Sequence, residues 1–316
     1  MLEIFILSLL ISLLVGYIVW RFLIVFKMWQ PIKAYGPRNH FAKSGTPTMG
    51  GLSFILTFYI ILGFALLEKI TAEVAFVAGA GFLCSIVGVF DDVIKIRKGS
   101  DGVKAKTKFG FQLLFSLLCL LFLRLLGLYS TEVYVPFFSV FDLAVFYPFF
   151  ALFLFLGCMN AVNITDGLDG LACGSSIIAL VSFFIISLWK EKVEIAFVIV
   201  ILIGSLLGFL LYNRHPAKMF MGDIGSMFLG GILASLGIIL KVEVLLLFIG
   251  GVFVLETLSV MIQVGSYKLR KKRVFLMSPL HHHFELKGWK EKNVVRFFWT
   301  LELVLSSIGL IIYRFG

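Results

Sequence analysis

The segment LEIFILSLLISLLVGYIVWRFLIVF, residues 2–26, carries only two charged side chains, Glu3 and Arg21. As a helix rising about 1.5 Å per residue it covers the roughly 30 Å hydrocarbon core of a bilayer. It is too long for the apolar core of a secretory signal, it opens on Glu3 where such a signal is basic, and no small-residue cleavage site follows it. The expectation is a retained membrane span, with Arg21 snorkelling toward the surface.

Segments of the same kind recur at residues 49–67, 73–90, 109–128, 143–162, 168–188, 193–212, 226–240, 244–264 and 294–313. With the first they make about ten transmembrane helices over residues 1–316, which leaves no room for a second domain. The composition agrees: 60% of the 316 residues are hydrophobic and 15% charged, with mean hydropathy +1.04, far from a soluble globular domain. The predicted class is an all-α polytopic membrane protein. One exception is the loop from Tyr129 to Asp142, whose β-branched and aromatic residues around Pro136 suit a small hairpin. Cys84, Cys119, Cys158 and Cys173 lie in or beside apolar runs without zinc-ligand spacing or a disulfide framework, and read as packing residues.

Ten spans place alternate loops on two sides. One side collects Lys27, Lys33, Arg38, Lys43, Lys95, Arg97, Lys98, Lys104, Lys106, Lys108, Arg214, Lys218 and the basic stretch from Lys268 to Arg296; the other has Lys69, Lys190, Lys192, Lys241 and Arg314. Loop bias of this kind sets orientation, so the rich side is read as cytoplasmic and both termini as extracytoplasmic. The net charge of +10 is thereby accounted for without nucleic acid.

Five aspartates at the ends of predicted spans fall on the basic side. Asp91 and Asp92 end the third predicted span, followed by Lys95; Asp166 and Asp169 lie in Asn163-Ile164-Thr165-Asp166-Gly167-Leu168-Asp169-Gly170; Asp223 lies in Met221-Gly222-Asp223-Ile224-Gly225-Ser226, before the eighth span. A single acidic pair at a helix end is ordinarily just solvated. Repetition at three helix ends beside hydrocarbon calls for compensating charge. Oxygen ligands with lysines and glycine turns suit Mg2+, which keeps several waters and is shared between one or two carboxylates and substrate phosphates. His281-His282-His283, in the last basic loop, could bind phosphate, move protons or ligate a metal, or be surface histidines. The loop from Lys43 to Gly51 offers N–H groups, hydroxyls and a lysine as an anion cradle, or is an ordinary helix-start loop. Glu256, Gln263 and Glu302 read as buried polar partners within the bundle; a transporter would instead use Glu256 and Glu302 as a pathway, but most acids here are interfacial and no internal repeat is seen.

Taken in order, Gly45-Thr46-Pro47-Thr48-Met49-Gly50-Gly51, Asp91-Asp92, the motif from Asn163 to Gly170, Gly222-Asp223-Ile224-Gly225-Ser226 and Pro279-Leu280-His281-His282-His283-Phe284-Glu285 resemble the polyprenyl-phosphate N-acetylhexosamine-1-phosphate transferases. The histidine triplet with Phe-Glu is similar to the phospho-N-acetylmuramoyl-pentapeptide transferase branch and argues against the related GlcNAc-1-phosphate branch. The resemblance implies a multi-pass enzyme of the bacterial plasma membrane, its active site facing the cytoplasm, Mg2+-dependent and homodimeric. It would move phospho-MurNAc-pentapeptide from the uridine nucleotide to undecaprenyl phosphate, releasing UMP and forming lipid I. By the same resemblance Asp91, Asp92, Asp223 and His282 are catalytic; Asp223 holds Mg2+, with Asp91, Asp92 and Asp166 as further candidate ligands. Lys43, Thr48, Lys95, Asn160, Asn163, Asp166, Asp169, His281 and His283 match substrate-binding positions, and Asn213 and Phe220 the uridine pocket, where an amide and an aromatic face suit uracil.

Overall fold

A computed structural model describes residues 1–29, 43, 45–65, 70–99 and 102–316. Lys33, Arg38, Ser44, Lys69 and the end of the second predicted span lie outside them. The order is α1 (Leu2–Val25), α2 (Gly51–Ala65), α3 (Ala72–Lys98), α4 (Ala105–Leu125), β1 (Glu132–Val135), β2 (Ser139–Asp142), α5 (Tyr147–Thr165), α6 (Leu171–Trp189), α7 (Val193–Asn213), α8 (Gly222–Ile239), α9 (Leu246–Ile249), α10 (Gly251–Arg270), α11 (Leu280–Leu286) and α12 (Glu291–Phe315). Among the described residues, nine helices are long and apolar enough to cross a bilayer, and α2, with 15 residues, is shorter. The predicted hairpin is present, pairing Glu132 with Asp142 and Val135 with Ser139.

Several boundaries differ from the hydropathy reading. α3 runs through Lys98, so Asp91 and Asp92 sit two turns inside it and do not end it. α8 begins at Gly222 and carries Asp223 in its first turn, where the hydropathy reading placed Asp223 ahead of the helix. Charged residues interrupt an apolar run, but they do not interrupt the backbone hydrogen bonds of a helix that emerges from the membrane. The span predicted over 244–264 is split into α9 and α10 at Gly250–Gly251, and α10 continues to Arg270. The break frees backbone donors inside the bundle, and Glu302 of α12 accepts the Val252 N–H at 2.7 Å, as a nonaqueous setting requires. Gln263 likewise accepts the N–H groups of Val274 and Phe275.

α8 is the axis of the bundle: every residue from Gly222 to Ile239 is buried. Its lack of a polar stripe is what permits burial on all sides. Small residues let neighbours approach it closely. A Cβ on Gly88 of α3 would lie 2.3 Å from the Asp223 carbonyl, and one on Gly51 of α2 would lie 2.5 Å from Gly225 Cα. α1 runs parallel to α7, with Ser8 and Ser12 against Gly204 and Gly208 and Gly16 against Tyr212, a small-residue seam of the kind that joins membrane helices. The end of α12 reaches the hairpin, where the Phe137 N–H bonds the Gly316 carbonyl. Both chain ends therefore lie at the hairpin face, and Asp91, Asp92, Asp166, Asp169 and Asp223 lie at the other.

Candidate active site

The first centre is built where α3, α4 and α8 meet. Asp91 and Lys95 are one helical turn apart and form an ion pair of 2.7 Å. Lys95 Nζ also lies 2.8 Å from Asp223 Oδ1. Lys108, in the first turn of α4, reaches Asp91 Oδ2 at 3.3 Å and donates a short hydrogen bond to Asp223 Oδ2. Two ammonium groups thus bridge two buried carboxylates, and Asp91 accepts the Val103 N–H as well, at 2.8 Å. Asn163 donates to Ser226 Oγ at 2.9 Å and accepts from Lys108 at 3.4 Å. Asn160 is one helical turn back along α5, in a two-way amide pair with Gln112.

Asp92 does something different from its neighbour. Its carboxylate accepts the Ile224 N–H at 3.0 Å, which fastens the positive end of α8 to α3. Thr48 belongs to the same junction. The N–H groups of Gly50 and Gly51 bond the carbonyls of Phe220 and Met221, and the Phe220 N–H bonds Pro47 O, so the two loops run side by side and Thr48 Oγ1 comes to Gly222. Of the two readings of this loop, the backbone favours the helix start: the N–H groups of Thr48, Gly50 and Gly51 are bonded to protein carbonyls.

A second corner surrounds Asp169. Lys43 Nζ lies 2.6 Å from both Asp169 Oδ1 and Glu291 Oε1. Burial alone would lower the lysine, but the two carboxylates hold it above its ordinary value. Asp169 Oδ2 accepts the Ala217 N–H and lies 3.0 Å from His215 Nδ1. Asp169, His215 and Glu291 are the one set of three His, Cys, Asp or Glu donors with atoms mutually within 4.8 Å among the described residues. The Phe220 ring faces Lys43 at 6.0 Å. Asn213 is 2% exposed, accepts from the Gly170 N–H and donates to Met219 O, so its amide holds the two loops that frame the corner. Asp166 caps α5 between the centres, and burial together with the charges of Asp223 and Asp92 pushes its carboxyl well up.

The three histidines part company. His281 is fully buried, and the surface-histidine reading is wrong for it. Glu256 accepts its N–H at 3.1 Å, and Glu256 Oε2 lies 3.3 Å from Nδ1, close enough for an ion pair but not aligned as a hydrogen bond. Its Nε2 abuts Gly167, where a Cβ would come within 2.3 Å. His282 Nδ1 is 2.8 Å from Glu285. His283 Nδ1 accepts the Leu276 N–H and its ring packs on Phe275 and Phe284.

Lys108, His215 and Glu291 were not among the predicted site residues. Lys108 was readable in retrospect: with Gln112 and Ser116 it makes a polar line at four-residue spacing on α4. Glu291, in a run of lysines, carries no such signal.

The model for glycosyl transferase family 4 matches residues 74–241, which hold Asp91, Asp166 and Asp223. A phospho-N-acetylmuramoyl-pentapeptide-transferase signature matches residues 43–55, which include Pro47 and Gly50, both bonded to Phe220. Enzymes of that description from Sulfurimonas denitrificans and Desulforamulus reducens are each 45% identical, the first over 89% of this chain and 85% of its own, the second over 96% and 93%. The chain belongs to the phospho-N-acetylmuramoyl-pentapeptide transferases. A relative from Halalkalibacterium halodurans, 44% identical over 96% of this chain and 95% of its own, carries the same description. Membership makes this a membrane-bound transferase of peptidoglycan precursor synthesis, and the bridged Asp91–Asp223 centre is the place in it where charge is concentrated.

Proposed function

We propose that this enzyme transfers phospho-MurNAc-pentapeptide from its uridine diphosphate carrier to undecaprenyl phosphate, releasing UMP and forming lipid I at the cytoplasmic face of a bacterial plasma membrane. The observation that carries the reading is the pair of lysines, Lys95 and Lys108, held between Asp91 and Asp223. The exchange of one phosphoanhydride for another needs alignment and neutralisation more than covalent help. Sidedness rests on the basic loops at the aspartate face, and a homodimer on the family resemblance.

Mg2+ fits this centre. Asp91 and Asp223 hold two ammonium groups between them, and Asp223 holds cations on both of its oxygens, so the donor set is one that binds positive charge. Asp223 would be the principal ligand with Asp91 beside it, an economical set for an ion that keeps its waters. When bound, the ion would neutralise the donor diphosphate. Asp92 is occupied in capping α8 and serves as a positioning residue. Lys95 and Lys108 meet the phosphates, Phe220 stacks on uracil, and Lys43, with Asp169, closes the nucleoside corner.

The acceptor phosphate, with a second pKa of about 6, is largely dianionic at neutral pH, so direct in-line attack is favoured over a phospho-aspartate on Asp91. Glu256 and Glu302, the residues a transporter would use, are bonded to His281 and Val252. UMP release is to be measured with UDP-MurNAc-pentapeptide and with UDP-GlcNAc. Turnover of the first alone, abolished in Asp223→Asn, is expected; preference for the second would move the enzyme to the GlcNAc-1-phosphate branch. A UMP burst from delipidated enzyme without acceptor, with phospho-sugar left on Asp91, would establish the covalent route instead.

A further inference from the structure

A cavity of about 520 Å3 opens at the aspartate face, between the end of α7 and the first turns of α12, with Asp169 and His215 in its lining. Arg214 and Lys218 stand on one wall, Lys292 and Arg296 on the other, all four exposed. None pairs with a carboxylate among the described residues: Lys218 lies over the rings of Trp20 and Tyr212, and the Asp169 oxygens at the cavity's edge are taken by Lys43, His215 and the Ala217 N–H. The cavity is therefore a concentration of unneutralised positive charge.

Its depth profile points to an amphiphile. Lys292, Arg296, Trp299 and Leu303 follow one another down a single face of α12, running about 16 Å from first to last at the helical rise. The order is cation, cation, indole, aliphatic, and it crosses a membrane surface in the order of the layers it meets. Leu211, 45% exposed, supplies the facing apolar wall on α7. A soluble anion would use the rim and leave the floor empty. A lipid uses both.

We propose that this cavity binds an anionic phospholipid, its phosphate among Arg214, Lys218, Lys292 and Arg296 and its chain over Trp299 and Leu211. Basic pockets between transmembrane helices are suited to acidic headgroups. The site borders the nucleoside corner through Asp169 and His215, and none of its four cations belongs to the Asp91–Asp223 centre.

The test uses purified full-length protein in neutral detergent, titrated with phosphatidylglycerol or phosphatidylcholine of identical chains, with bound lipid counted by native mass spectrometry. One phosphatidylglycerol is expected to bind saturably and about tenfold or more tighter than phosphatidylcholine. Lys292→Gln with Arg296→Gln should weaken it about tenfold, Lys292→Arg with Arg296→Lys should restore it, and Arg270→Gln with Lys272→Gln, an equal loss of charge elsewhere, should leave it unchanged. Equal binding of the two lipids by the unaltered protein overturns the proposal, as does equal weakening by the Arg270/Lys272 pair. Displacement of the lipid by millimolar inorganic phosphate, or by a short acidic peptide, would reassign the cavity to a soluble anion and overturn it too.

Discussion

Gly88→Ala adds one methyl group where two helix backbones cross most closely among the described glycines. That carbon would lie 2.3 Å from both the carbonyl carbon and the oxygen of Asp223 and 2.4 Å from Ile224 Cα, whereas unstrained carbon contacts lie near 3.5 Å. These neighbours are backbone, so no rotamer change relieves the clash. The first turn of α8 must move away from α3 by about 1 Å, stretching the Asp92–Ile224 bond and carrying Asp223 from Lys95 and Lys108. Overpacking of this kind costs about 1–3 kcal/mol of stability, but a displacement of about 1 Å at reacting groups costs about 100-fold in rate. The assay is UMP release at saturating donor and acceptor, normalised to folded protein by size-exclusion chromatography, with thermal unfolding in parallel. Gly63→Ala and Gly157→Ala are the controls, since nothing lies within 4 Å of the added carbon in either. Wild-type turnover in folded Gly88→Ala would refute the argument that the α3–α8 contact sets the centre.

Lys108→Met should lower kcat about 100- to 1000-fold, as expected for removing one preorganised donor, while Lys106→Met, at an exposed position, should not; comparable losses in both would reduce Lys108 to loop charge. Phe220→Ala should weaken nucleotide binding by about 1–3 kcal/mol, read as donor KM against acceptor KM, and an unchanged donor KM removes the stacking role. Glu243, on the hairpin face and 2% exposed, has its carboxyl pushed by burial from 4.5 up to about 7, against the opposing effect of Lys241 and Lys190. The folded protein then holds a proton that the unfolded chain has lost, so stability falls by about 3 kcal/mol as pH rises from about 4.5 to about 7. Glu243→Gln should flatten that slope and raise Tm at pH 8; an unaltered Tm profile between pH 5 and 8 would show that Glu243 is not its source.

Hydropathy made the spans legible because the solvent of this protein selects for length and apolarity alone. It could not show where helices end, because α3 and α8 continue past the hydrocarbon on the strength of their own backbone bonds. The break at Gly250–Gly251 was hidden for the opposite reason: both sides of it are apolar, and only the paired glycines marked it. At the site, carboxylates at helix ends were visible as a class, but their division of labour was not. Asp91 and Asp92 are adjacent in sequence and point to different tasks, one toward two lysines and the other toward the start of α8. Asn213 has the right chemistry for a base, but its bonds to the Gly170 and Met219 loops, which position it, could not be read from the sequence. Which lysine of Lys104, Lys106 and Lys108 enters the centre depends on helical phase, and the first turn of α4 lies outside the apolar run from which that helix was read.

The burial of α8 bears on how the membrane itself can influence turnover. Asp223 rides on a helix buried along its entire span, whereas α4 and α12 are each only 28% buried over theirs. A bilayer too thick or too thin acts on helices by tilting those it touches. It has no direct grip on α8. Changes of lipid or detergent therefore reach the chemistry from the periphery inward, moving Lys108 on α4 relative to an Asp223 that stays in place, and Glu291 on α12 relative to Lys43. The protein keeps its principal carboxylate in a protein-only interior and lets the bilayer adjust its partners.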